Sequence, residues 1–196
     1  MYNISMSPKR TKLTPARILT ATNTMKVLWF MLAHPGEEFY DRQICGLAKM
    51  SRAGTNVALR ELDAAGLLTR NNRGRMAFYR LRTGDVLIAQ LKIVSALAML
   101  NDLIDTLCPL SLRIVLFGST ARGEDTAASD IDLFILTRAP DAIRKVIRAS
   151  GQEERLKPVI HTPEEWARLR AQNEVFAEQI EKGIVVWDEM LQRTST

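Results

Sequence analysis

Asp130 and Asp132 stand one residue apart at the head of an apolar run, Ile131-Asp-Leu-Phe-Ile-Leu136, and Gly118-Ser119 closes another, Arg113-Ile-Val-Leu-Phe117. Side chains at i and i+2 of a strand share one face, so the two carboxylates are expected to point the same way. The turn at Gly118-Ser119 offers backbone N–H groups to an anion. Two hard carboxylates beside a phosphate cradle suit a divalent cation, Mg²⁺ or Mn²⁺, together with a nucleoside triphosphate. For this chemistry to work, a strand must run into the turn, a short helix must follow it, and a second strand must begin at the acids.

The residues Gly118, Ser119, Ala121, Arg122 and Gly123, followed after a short spacer by Ser129, Asp130, Ile131, Asp132 and Leu133, resemble the minimal nucleotidyltransferases of the DNA polymerase β-like superfamily. The resemblance implies that Asp130 and Asp132 are the catalytic metal ligands. It also implies that Gly118, Ser119, Arg122 and Ser129 bind the nucleotide, with ATP the expected one. Gly118 lets the triphosphate approach closely, and Ser119 holds its terminal phosphates. The reaction implied is transfer of a nucleoside monophosphate, which depends on positioning and charge stabilisation more than on a dedicated nucleophile. Arg122 has a structural alternative, pairing with Glu124 or Asp125.

Members that transfer nucleotides generally bring a third carboxylate from the next strand. Here that stretch is Leu156-Lys-Pro-Val-Ile-His-Thr162, which holds no acid. Glu165 has another explanation. Thr162-Pro163-Glu164-Glu165 forms a capping box with proline at the first helical position. His161 reads as a structural histidine at a strand end. The pattern therefore supports binding of metal and nucleotide and leaves turnover open.

The first part of the chain carries a different pattern. Asn23-Thr24 opens an apolar helix that His34-Pro35-Gly36 ends, Asp41 is expected to cap a second helix with Ile44 and Leu47 inward, and Ser51 to cap a third. In the third, Thr55, Leu59 and Leu62 fall on one face and Arg52, Asn56 and Arg60 on the other. Leu67-Leu-Thr69 and Met76–Leu81 flank Asn71-Asn-Arg-Gly74, which reads as a hairpin turn. This arrangement resembles the winged helix-turn-helix of MarR- and ArsR-like regulators. The resemblance implies contact with double-stranded DNA through Ser51, Arg52, Asn56 and Arg60 on the reading helix and Arg70, Arg73 and Arg75 on the wing.

Charge follows the same division. Residues 1–85 carry 14 Lys+Arg against 6 Asp+Glu, and residues 86–196 carry 13 against 16, within a chain of net charge +5. A basic half is the electrostatic footprint of a nucleic-acid reader.

Between the halves, Asp85 to about Cys108 reads as a long helix that is apolar on nearly every side. Lys92, Asn101, Asp102 and Asp105 interrupt it, so no membrane span is expected. Its apolar sides call for both halves and the same helix of a second subunit, giving a homodimer, with a purely intramolecular spine as the alternative. The expected fold class is two-domain α/β (α+β). A basic flexible arm occupies residues 1–13, the winged helix 14–84, the linker and dimerisation helix 85–109, and a small mixed-sheet nucleotidyltransferase-like domain 110–190. No secretory signal is visible, and Cys45 and Cys108 lack metal-ligand spacing, so a cytoplasmic location with reduced thiols is expected. Three functions fit. One is a DNA-binding transcription regulator that senses Mg-NTP. The second is an active enzyme, antitoxin-like and paired with a toxin or other protein acceptor, that controls its own gene. The third is an inactive scaffold.

Overall fold

The computed structural model describes residues 19–151 and 154–193. The arm expected over residues 1–13 lies outside the described residues. Helix α1 (Asn23–Ala33) starts at Thr22, whose hydroxyl accepts the Met25 N–H at 3.2 Å. Strand β1 (Glu38–Tyr40) then leads into α2 (Asp41–Leu47), and α3 (Arg52–Ala64) follows. Strands β2 (Leu68–Arg73) and β3 (Met76–Leu81) complete a three-stranded antiparallel sheet of order β1-β3-β2.

Three local expectations are corrected here. Asp41 is the first residue of α2 rather than its cap, because the chain enters from β1 and Gln43 Oε1 takes the N–H of Tyr40 at 3.0 Å. Ile44 is fully buried as expected, whereas Leu47 faces out with 62% exposure. The hairpin is longer than expected, since Asn71, Asn72 and Arg73 are paired strand residues and the turn is Gly74-Arg75. Gly74 adopts φ +62° and Arg75 keeps a negative φ, the glycine-first two-residue turn whose twist matches the flanking strands.

Helix α3 behaves as its periodicity predicts. Ser51 Oγ accepts from Gly54 N–H at 3.2 Å, and Thr55, Leu59 and Leu62 are buried. Leu59 and Leu62 join Val27, Leu28, Met31, Ile44, Leu68 and Leu81 in a first core. Ile88 of helix α4 (Val86–Leu107) belongs to that core, while Leu100, Leu103 and Leu107 of the same helix belong to a second. Helix α4 is thus a spine shared by both halves. It is long and apolar enough to cross a membrane by length and composition, yet its buried stripe is taken up by protein. That stripe includes Lys92, which the apolar pattern had treated as an interruption.

The second half is built on a four-stranded mixed sheet of order β6-β5-β4-β7. Its strands are β4 (Arg113–Phe117), β5 (Ile131–Leu136), β6 (Leu156–His161) and β7 (Ile184–Asp188); β5 and β6 are parallel and the other pairs antiparallel. The short helix α5 (Gly118–Arg122) joins β4 to β5, and α6 (Pro140–Ala149) joins β5 to β6. Two helices follow β6, α7 (Pro163–Gln172) and α8 (Glu174–Glu181). Asn173 leaves helical geometry (φ −140°, ψ 77°), and its side chain caps α8 by accepting from Phe176 N–H at 3.1 Å. A last helix, α9 (Glu189–Arg193), follows β7. Trp166 packs on Phe134 with ring centroids 4.6 Å apart, and Trp187 Nε1 donates to Ser111 O at 3.0 Å, so these aromatics serve the core.

Candidate functional site

Strand β4 delivers Gly118 to the sheet edge with its φ at +71°, and the β4/β5 register sets Phe117 opposite Asp132. A Cβ on Gly118 would strike the Asp132 carboxylate, with Cγ only 3.0 Å away. The position therefore needs glycine twice over, for its backbone conformation and for the acid pressed against it. Ser119 follows, half-buried, and no hydrogen bond of its hydroxyl is found among the described residues.

Asp132 lies within β5, but Asp130 precedes the strand by one residue, so the expectation that both are strand residues on one face holds only for Asp132. The two still act on one another. Burial, then the charge of Asp130, push the Asp132 carboxyl above the usual carboxylate range, against the pull of Lys157 and Arg122. Thr120, buried at the centre of α5, donates to Asp130 O at 3.4 Å and ties the acid loop to that helix. Lys157, the register partner of Asp132 on β6, brings its Nζ to 3.3 Å from Asp130 Oδ2.

The other expected nucleotide residues have protein partners. Arg122 Nε pairs with Glu124 Oε2 at 2.7 Å, the structural alternative. Ser129 Oγ accepts the Thr126 N–H at 2.8 Å within the loop. Glu165 is the cap of α7: its carboxylate accepts the Thr162 N–H at 2.8 Å, which holds it below the usual carboxylate range. His161 stacks near Phe134 and lies 3.7 Å from Glu165 Oε2.

Among the described residues, no group of three or more His, Cys, Asp or Glu side chains is placed to hold a metal. Asp130 and Asp132 bring two carboxylates to this end of the sheet, and the charge of Asp130 acts on Asp132. Such a pair fits one divalent ion whose remaining ligands are phosphate oxygens and water.

A clamp holds the site loop to α4. Lys92 is 7% exposed, donates to Gly123 O at 2.9 Å and to Asp125 O, and lies 3.0 Å from Asp125 Oδ1. Gly123, in the left-handed region at φ +68°, rests directly on the helix; a Cβ there would come within 2.7 Å of the Ala89 Cα and carbonyl carbon. Sequence reasoning missed this role, since a lysine in an apolar helix gives no sign of which carbonyls it will meet.

Residues 100–191 match the family model of the nucleotidyltransferase domain. This part of the chain is nucleotidyltransferase-like. A solved structure of a candidate nucleotidyltransferase from Sulfolobus solfataricus is 15% identical, with 56% of this chain and 95% of that chain covered at a TM-score of 0.36. A second, of TrmBL2, an archaeal chromatin protein described with a novel mode of DNA binding, is 14% identical, with 78% and 67% covered at a TM-score of 0.29. No curated protein matches the chain.

Away from the nucleotidyltransferase-like domain, a cleft of about 580 Å³ opens between α3 and the β2/β3 hairpin. Arg52, Asn56, Arg60, Arg70 and Arg75 line it, all expected DNA contacts, and Arg42 of α2 joins them. Arg42 was overlooked because the periodicity of α2 is too short to fix a face. Arg73 lies elsewhere, paired with Glu38 and stacked 4.8 Å over Phe78. Ser51 spends its hydroxyl on the α3 cap, and Arg52 reaches Asp41 Oδ2 at 3.2 Å. At the other end of α4, burial and Asp105 push the Cys108 thiol up, away from thiolate chemistry.

Proposed function

We propose that the chain is a transcription regulator that binds double-stranded DNA through a winged helix-turn-helix and senses Mg-NTP, with ATP the first nucleotide to test. The observation that carries this reading is the clamp at Lys92 and Gly123. It fastens the loop between Gly118 and Asp130 to α4, which enters both cores. A ligand that rearranges this loop acts on α4 and, through Ile88, on the core beneath α3. Allosteric coupling needs such a contiguous element whose position both sites bias.

In this reading α3 enters a major groove with Asn56 and Arg60 at base edges, and Arg70 and Arg75 of the wing hold the backbone. Arg52 is available once it exchanges Asp41 for phosphate, and Arg73 orders the wing. In the second half Asp130 and Asp132 hold the cation, Gly118 admits the phosphates and Ser119 donates to them. A bound Mg²⁺ supplies charge neutralisation for the triphosphate. Arg122 joins only by leaving Glu124, and Ser129 shapes the loop. The exposed apolar residues Leu87, Val94 and Met99 on α4 support a homodimer through that helix. A cytoplasmic location follows from a DNA-binding role.

Calorimetry with Mg²⁺ and a non-hydrolysable ATP analogue tests the site. Saturable binding is expected in the parent and none in the Asp130→Ala/Asp132→Ala variant, whose melting temperature should match the parent within a few degrees. Equal affinity in the two overturns the assignment. Incubation with α-labelled ATP separates sensing from turnover, because label transferred to a protein or small molecule makes this an enzyme with an acceptor.

A further inference from the structure

The charge beside the acid pair is as informative as the pair itself. Lys157 is held on β6 by the parallel register that sets it beside Asp132, and its Nζ rests 3.3 Å from Asp130 Oδ2. Its charge also pulls on Asp132 more strongly than that of Arg122 does. Two-metal phosphoryl-transfer sites place their ions roughly 3.5–4 Å apart, bridged by shared carboxylates. At this site the Lys157 ammonium already pairs with Asp130, and among the described residues no group of three or more metal-ligating side chains is placed to hold an ion. A second divalent ion sharing Asp130 would meet the Lys157 ammonium, a like charge, at a few ångströms.

We propose that Lys157 takes the place of a second metal ion, so that the site binds one divalent cation per nucleotide and Lys157 supplies the other positive charge to the phosphates. The inference rests on the nucleotide-binding reading above. Lys157 has the freedom this needs: its side chain is 62% exposed, that of Asp130 is 44% exposed, and nothing else among the described contacts holds the ammonium. When a triphosphate enters, Nζ exchanges a carboxylate oxygen for a phosphate oxygen without any change of backbone.

Equilibrium dialysis of the full chain with excess Mn²⁺ and a non-hydrolysable ATP analogue counts the ions bound per protein-bound nucleotide. The parent is expected to hold one. Lys157→Gln, at an exposed position, should keep the parent melting temperature and lose at least about tenfold in nucleotide affinity. Lys157→Glu should bind a second Mn²⁺ with each nucleotide. Two ions per nucleotide in the parent, or nucleotide affinity within twofold of parent in Lys157→Gln, overturns the proposal while the nucleotide site stands. A parent chain that binds no nucleotide at all overturns both.

Discussion

Asp132 is an acid kept where folding alone would not keep it. Its carboxyl is pushed up first by burial and then by Asp130. A carboxyl whose pKa is higher in the folded than in the unfolded state favours folding only while protonated. That contribution is complete below the unfolded value and lost as pH rises through the folded one. Asp132→Asn is therefore expected to melt no lower than the parent at pH 7, with the gap closing as the pH falls toward 4. A variant clearly less stable at pH 7 would mean that the carboxylate serves the fold. Gly118 is the complementary case. Gly118→Ala must strain a left-handed backbone, which costs roughly 1–2 kcal/mol, and displace the Asp132 carboxylate. Nucleotide affinity should fall at least about tenfold when read by calorimetry on the folded protein. The acids and the glycine were legible in the sequence because their spacing alone defines the chemistry. Lys157 was not legible as a partner, because the β5/β6 register that sets it beside Asp132 is a long-range property.

At the scale of elements, most boundaries followed from caps and periodicity, as at Ser51 for α3 and Thr162 for α7. The failures share a cause. Asn71 to Arg73 look like turn residues but are drawn into the ladder once Gly74 supplies the positive φ that a two-residue turn needs. Leu47 looks like core but ends a helix too short to have a fixed inner face. In α4 the apolar pattern hid Lys92, which fastens the loop of the second half to the helix that enters both cores. Lys92→Met removes a buried cation and leaves Asp125 and the Gly123 carbonyl without it, so a loss of about 3 kcal/mol is expected in urea unfolding followed by tryptophan fluorescence. Lys92→Met/Asp125→Leu should recover part of that loss. Equal stability of Lys92→Met and the parent would show that the loop is not held there.

At the scale of the whole molecule, the two charge characters divide along the sequence near residue 85. Residues 1–85 hold 14 Lys+Arg and 6 Asp+Glu, while residues 86–196 hold 13 and 16. This asymmetry was visible before any fold was known, and the arginine-lined cleft is where it becomes a surface. DNA affinity should drop steeply with salt, with a log–log slope of about −0.9 for each phosphate neutralised. Arg70→Ala should flatten that slope by about one unit without changing which sequence is preferred. A slope near zero in the parent would exclude the cleft as a phosphate-gripping face. The central claim is that the acid pair and this cleft speak to each other through α4. It is tested most directly by the affinity of the full chain for a duplex carrying the region upstream of its own coding sequence, measured by fluorescence anisotropy with and without saturating Mg-ATP. The account predicts a change of at least about fivefold, abolished in Asp130→Ala/Asp132→Ala; superimposable curves with and without nucleotide would contradict it.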